Sequence, residues 1–260
     1  MNPLAGARRV LFLHAHPDDE SLATGALIAD LRGSGVEVAV LTATRGEKGE
    51  VTDEALLAGG DLVARREREL ARALGVLGVT IHGFLGQPPA LAPGRRPRRY
   101  TDSGMVWVQP DLAGPGEDAG PDALTSAPLD EAAADAAAFT AWFGADVLVS
   151  YDSHGGYGHP DHVACHHIAR RAAALAGVRF VEIVSAVIDE QAGTLQWAPR
   201  VEGAEVVDLP HRIDSVREAL ASYSSQVTVD GDEVVHVGGQ RHTIPTAVTL
   251  RAAPTGADLP

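Results

Sequence analysis

The chain has 260 residues, 45% of them hydrophobic, and acidic residues outnumber basic ones by 35 to 21, a net charge of -14. That length supports one sizeable core with a small appended part, and that charge disfavours nucleic acid and anionic membrane surfaces as partners. The single cysteine, Cys165, excludes an intrachain disulfide and a cysteine zinc cluster and reads as a small buried apolar residue, so any metal must sit on nitrogen and oxygen. The first apolar stretch, Val10 to Leu13, is too short for a signal sequence or a membrane span, which predicts a cytoplasmic, soluble protein.

In chain order, the apolar run after Arg8-Arg9 predicts a buried strand over 9–15, with the polar cluster His16-Pro17-Asp18-Asp19-Glu20 at its carboxyl end. A helix is predicted over 20–33, with Ala23, Leu27, Ile28 and Leu31 on one face and Gly33-Ser34-Gly35 as its stop signal. A strand over 36–43, a helix over 54–77 and a strand over 79–85 follow. Residues 86–128 hold eight of the sixteen prolines and six glycines, which predicts a long loop with little regular structure. A helix over 129–143, a strand over 146–151 and a helix over 161–176 complete the alternation. Strands alternating with helices predict an α/β protein, a Rossmann-like three-layer α/β/α arrangement with a mostly parallel sheet. Beyond that the pattern turns β-rich, with a helix near 211–222 and a hairpin at Asp230-Gly231-Asp232. The expected organisation is a catalytic region over 1–178 and a β-rich carboxyl-terminal extension over 179–260 packed on the same domain.

Ligands bind at the carboxyl ends of strands in open α/β sheets, where the first cluster stands. His16 and Asp19, three residues apart, can bite one divalent metal, and Asp18 beside them stays free to act as a base. The bland alternative is a helix cap, with Asp18 or Asp19 capping and Glu20 favouring the helix dipole. A second cluster disfavours that alternative. After the strand ending at Tyr151, a glycine-rich loop delivers His159-Pro160-Asp161-His162 to the start of a helix, and His162 would complete a three-ligand site with one open position. His159 could reach the same substrate carbonyl from another side, with Asp161 or another carboxylate fixing its charge and orientation. His166, four residues beyond His162, is a rival partner but reads better as a solvated or hydrogen-bonded ring.

The motifs HPDDE at 16–20 and GGYGHPDH at 155–162 resemble the paired signatures of the PIG-L (LmbE-like) deacetylase family. Within it, they are similar to the actinobacterial branch of mycothiol biosynthesis, which removes acetate from N-acetylglucosaminyl-inositol. Gly46-Glu47-Lys48-Gly49-Glu50-Val51, Arg66 with Glu69, and Asp102-Ser103-Gly104-Met105 resemble three further motifs of that branch. The resemblance implies substrate contacts for Glu50, Arg66 and Asp102. The bland reading of Arg66 is a solvated, ion-paired helix face, and of the run at 95–99 a solvated basic loop. The likeness covers about residues 8 to 176, with only a loose match beyond, around Ala219 to Val227.

The resemblance implies hydrolysis of an N-acetyl group on a small acetamido-sugar, with zinc, or alternatively ferrous iron, on His16, Asp19 and His162. Asp18 would take the water's proton, and protonated His159 and the Tyr157 hydroxyl would stabilise the oxyanion. A mycothiol-conjugate amidase and a tailoring deacetylase for a glycosylated natural product share this chemistry. Gly158 before HPDH favours the sugar-inositol substrate slightly. Two non-hydrolytic classes are also open. A nucleotide-binding protein is disfavoured because His16 to Glu20 stand where a G-x-G-x-x-G would be, and a non-catalytic metal- or sugar-binding module would not require Asp18 and His159.

Overall fold

The computed structural model describes residues 2–53, 61–109, 112–116, 119–185, 187–189, 194–196 and 201–253. Strands β1 (Arg9–His14), β2 (Glu37–Thr42), β3 (Ile81–Phe84), β6 (Val147–Tyr151) and β7 (Arg179–Ile183) run parallel in the order β3-β2-β1-β6-β7. The order reverses between β1 and β6. That switch point, at the strands' carboxyl ends, is where both histidine motifs emerge.

Burial on both faces gives β1 its unbroken apolar run. Val10 and Phe12 pack with Leu27 and Ile28 of α1 (Asp19–Gly33), with Leu70 and Leu74 of α2 (Leu62–Val76) and with Val216 and Leu220 of α5 (Ile213–Ala221). Leu11 and Leu13 face the opposite layer, with Phe139 and Phe143 of α3 (Leu129–Phe143) and Ile168 of α4 (Pro160–Ala176). These two cores on either side of one sheet make the three-layer α/β/α arrangement that the alternating pattern predicts.

The strands of residues 179–260 enter the sheet itself. Strand β14 (Ala247–Ala252) pairs antiparallel with β7, and β10 (Ala204–Asp208) pairs antiparallel with β14, giving a seven-stranded, mostly parallel sheet. Strands β11 (Val227–Asp230), β12 (Glu233–His236) and β13 (Arg241–Thr243) form a separate antiparallel sheet, with β11 and β12 joined by the expected hairpin. Strands β8 (Val187–Asp189) and β9 (Thr194–Gln196) make a further two-stranded sheet.

Two expectations need revision. The segment 86–128 is not merely irregular: β4 (Met105–Gln109) and β5 (Leu112–Pro115) form an antiparallel hairpin inside it. The prolines and glycines obscure a short run, Val106-Trp107-Val108, whose β-branched and aromatic side chains favour a strand. The second helix begins at Leu62, with Asp61 accepting from the Val63 amide at 3.0 Å; the predicted start over 54–60 lies outside the described residues.

Candidate active site

Strand β1 delivers His16, Asp18 and Asp19 to the switch point, and β6 delivers His159, Asp161 and His162. Asp18 stands at the amino end of α1 without a side-chain capping bond, which removes the capping explanation for it. Its backbone has φ 108 and ψ -30, the only positive φ outside glycine among the described residues. Strain of this kind costs about 1–3 kcal/mol and persists where the surroundings over-determine it.

The hydrogen-bond partners fix which ring atoms face the cluster. His16 Nε2 lies 3.1 Å from Asp161 Oδ2, an acceptor, so in the neutral ring Nε2 carries the proton and the Nδ1 lone pair is free. That Nδ1 stands 3.3 Å from Asp19 Oδ2. His162 Nδ1 lies 3.2 Å from the Gly155 carbonyl, which leaves the Nε2 lone pair directed inward. His162 Nε2 is buried without a hydrogen bond, although Asp19 Oδ1 is only 3.3 Å away. These 3.3 Å approaches bring two ring nitrogens and the Asp19 carboxylate to one place, where together they could hold a divalent metal. His16, His159 and His162 also offer ring nitrogens within 4.8 Å of one another, so His159 borders the same space.

The electrostatics point the same way. Burial alone would lower the His16 pKa, but Asp161, Asp19 and Asp102 outweigh it and raise it well above 6.5, so the surroundings favour a cation. Burial would raise Asp19, yet His162 and His16 hold it well below the usual carboxylate range. Asp18 moves the opposite way, pushed well up by burial and then by the charges of Asp19 and Glu20. The two adjacent carboxylates are thus pushed in opposite directions.

Asp161 corrects one expectation. Its carboxylate is fully buried and bonds to His16 and to the Ser103 amide, at 2.9 Å, not to the His159 ring. His159 Nδ1 instead accepts from the Asp161 backbone amide at 3.1 Å, because His159 is the cap of α4. Its Nε2 therefore carries the proton in the neutral ring. Burial, with His16 and His162 beside it, pulls its pKa down to about 2.

The remaining predicted residues divide. Asp102 is buried, with Oδ1 3.8 Å from His16 Nε2, and accepts from the Lys48 and Gly104 amides. Tyr157 stacks edge-on against His159 and His162, with ring centroids 5.9 and 5.5 Å apart. Arg66 is 1% exposed and not on a solvated face; it donates to the carbonyls of Gly49 and Glu50 at 3.0 and 2.9 Å. It thereby holds the loop whose Glu50 side chain is exposed. His166 donates its ring proton to the Tyr151 carbonyl at 3.0 Å and makes no pair with His162, and burial raises the Cys165 thiol pKa.

Residues 11–173 match the profile of the PIG-L family, described as GlcNAc-PI de-N-acetylase, over more than half of the chain and across both histidine motifs. The chain belongs to the PIG-L family. A deacetylase of Kineococcus radiotolerans, named for 1D-myo-inositol 2-acetamido-2-deoxy-alpha-D-glucopyranoside, is 46% identical over 171 residues, 65% of this chain but 45% of that protein. The similarly named protein of Actinosynnema mirum is 36% identical over 241 residues, 90% of this chain and 77% of the relative. Two solved structures share the fold. The N,N'-diacetylchitobiose deacetylase of Pyrococcus horikoshii has a TM-score of 0.57 and 20% identity, over 86% of this chain and 73% of that one. The zinc-inhibited form of teicoplanin deacetylase Orf2 has a TM-score of 0.60 and 21% identity, over 95% and 100%.

Residues beyond the stretch matched by the PIG-L profile, where the sequence shows only a loose likeness, also reach this site. Tyr223 donates its hydroxyl to the buried Glu20 carboxylate at 2.6 Å, and Gln226 Nε2 donates to the Pro17 carbonyl at 2.7 Å. Glu20 in turn accepts from the Asp18 amide at 3.2 Å, and Glu69 accepts from the Ser225 amide at 3.1 Å. The carboxyl-terminal third thus grips both sides of the strained Asp18. Ser103, inside a motif read only for its aspartate, braces Asp161. The clustered polar run Ser222 to Gln226 is the one sequence signal that could have flagged the grip.

Proposed function

We propose that this chain hydrolyses the N-acetyl group of a small acetamido-sugar, N-acetylglucosaminyl-inositol above others, releasing acetate, in the cytoplasm. The convergence of the His16 Nδ1 and His162 Nε2 lone pairs on the two oxygens of Asp19, with Asp18 left over, carries the reading. Those three residues fit zinc, with ferrous iron as the alternative, because neutral imidazoles and one carboxylate are its usual nitrogen and oxygen donors. A bound divalent metal supplies Lewis acidity toward the acyl oxygen and an acidified water.

The chain's own groups do the rest. Asp18, held up by its acidic neighbours, takes the proton of the attacking water and passes it to the leaving amine. His159 donates Nε2–H to the oxygen on which charge develops, and the Tyr157 hydroxyl is a second donor there. Asp161, braced by Ser103, keeps the His16 ring turned with Nδ1 inward. Asp102 and the Arg66-held loop with Glu50 meet the sugar. In this division residues 1–178 carry the chemistry and 179–260 brace it.

Replacing Asp18 with Ala tests the assignment when bound metal and acetate release are measured on the same sample. Unchanged metal content with turnover lowered about 10²–10⁴-fold is expected. Turnover near wild type with the metal retained would remove Asp18 from the mechanism.

A further inference from the structure

Among the described residues, five of the ten large apolar side chains that are exposed lie together beside the active site, on one hairpin and Tyr157. Trp107 is 51% exposed and Tyr157 is 43% exposed, and Val106, Val108 and Leu112 of the same hairpin are also exposed. An indole open to water on a short hairpin gains nothing for the core and marks a contact surface.

The hairpin is built into the site. Ala113 donates its amide to the Tyr157 carbonyl at 2.9 Å, and the residue paired with Ala113 across the hairpin is Trp107. A Cβ on Gly158, which has φ +84, would stand 2.7 Å from Leu112 Cδ1 and 3.1 Å from the Ala113 carbonyl oxygen, so the hairpin and the histidine loop are packed in direct contact. Trp107 and Tyr157 have ring centroids 5.5 Å apart at a 33° tilt. Tyr157 in turn contacts the His159 and His162 rings, whereas Trp107 makes no ring contact with a histidine among the described residues. The aromatic surface therefore begins at the reacting centre and continues one ring further out.

We propose that Trp107 is the stacking platform for the second ring of a two-ring substrate, a polyhydroxylated six-membered ring joined to the acetamido-sugar; this rests on the deacetylase reading above. The faces of such rings are C–H surfaces with the hydroxyls turned outward, and the negative face of an indole attracts them. Tyr157 lies beside the acetamido ring and Trp107 one ring beyond it, which makes Trp107 a specificity residue that leaves the chemical step alone. The second ring is the occupant because the patch is continuous with the site.

The test compares wild type, Trp107→Ala and Trp107→Phe, each metal-loaded, on N-acetylglucosaminyl-inositol and on free N-acetylglucosamine. Trp107→Ala should raise KM about tenfold on the two-ring substrate with kcat unchanged, Trp107→Phe should stay near wild type, and the single-ring kinetics should not move. Equal losses on both substrates, or none on the two-ring one, overturn the proposal. Tryptophan fluorescence separates its failure from that of the deacetylase reading. Quenching by the two-ring sugar in wild type, lost in Trp107→Phe, upholds stacking even if no acetate is released and hydrolysis is thereby refuted. Acetate release without that quenching overturns stacking alone. A wild-type dimer that Trp107→Ala converts to monomer in sedimentation velocity would assign the patch to a second copy and overturn it as well.

Discussion

Asp18 combines the proton-accepting role proposed above with a backbone that favours glycine, so Asp18→Gly should make the protein more stable while making it inactive. The strain at φ 108 is worth about 1–3 kcal/mol. Glycine removes it but returns about 0.5–1 kcal/mol through the greater freedom of the unfolded chain. Asp18→Ala is the control, because it deletes the same carboxylate, and the same repulsion from Asp19 and Glu20, while keeping a Cβ in the strained conformation. The glycine variant should therefore exceed the alanine variant by about 1–2 kcal/mol, or about 3–6 °C in Tm for a chain of this size. Calorimetry of both variants, metal-loaded and metal-free, reads the difference, and acetate release should fall about 10²–10⁴-fold in each. A glycine variant no more stable than the alanine variant would show that the surrounding grip does not hold this backbone under strain.

Tyr223→Phe deletes the hydroxyl bonded to buried Glu20 and should lower stability by about 1–2 kcal/mol, measured by urea unfolding; an unchanged midpoint would contradict the bracing role. Zinc at about 100 times its Kd should add about 2.7 kcal/mol to wild type and almost nothing to His162→Ala, and equal stabilisation of both would move the metal elsewhere. Burial, with Arg45 beside it, lowers the His82 pKa from 6.5 to about 4 in the fold, so its ring is neutral there while the unfolded chain protonates it. Its contribution is whole above pH 6.5, is lost progressively as pH falls toward 4, and amounts to about 2 kcal/mol after allowance for partial exposure. His82→Gln should flatten the stability profile across that window, and an unaltered slope would show that His82 is not the group titrating.

Much of the fold is legible because β1, β2 and β6 are buried on both faces and read as unbroken apolar runs, with helices between them. The site was legible where its residues are contiguous: His16 to Asp19 and His159 to His162 lie at the ends of adjacent strands, as their motifs suggested. What stayed hidden depends on contacts distant in sequence. The polar run Ser222 to Gln226 is the only local hint of Tyr223 and Gln226, since their meaning comes from Glu20 and Pro17, about two hundred residues earlier. Asp161, one of the carboxylates offered as a partner for His159, faces His16 instead, because the α4 cap turns His159 toward the Asp161 amide. The β4–β5 hairpin was masked by prolines and glycines, two of which, Gly114 and Pro115, lie in β5 itself.

Primary-amine release from N-acetylglucosaminyl-inositol by the purified, zinc-loaded protein, measured with free N-acetylglucosamine and a chelator-treated sample alongside, decides whether the chain is the deacetylase proposed above. Release that prefers the inositol conjugate and disappears with the metal is the predicted result. A protein that binds zinc stoichiometrically yet releases amine from neither sugar would refute N-acetyl hydrolysis of these sugars at this site.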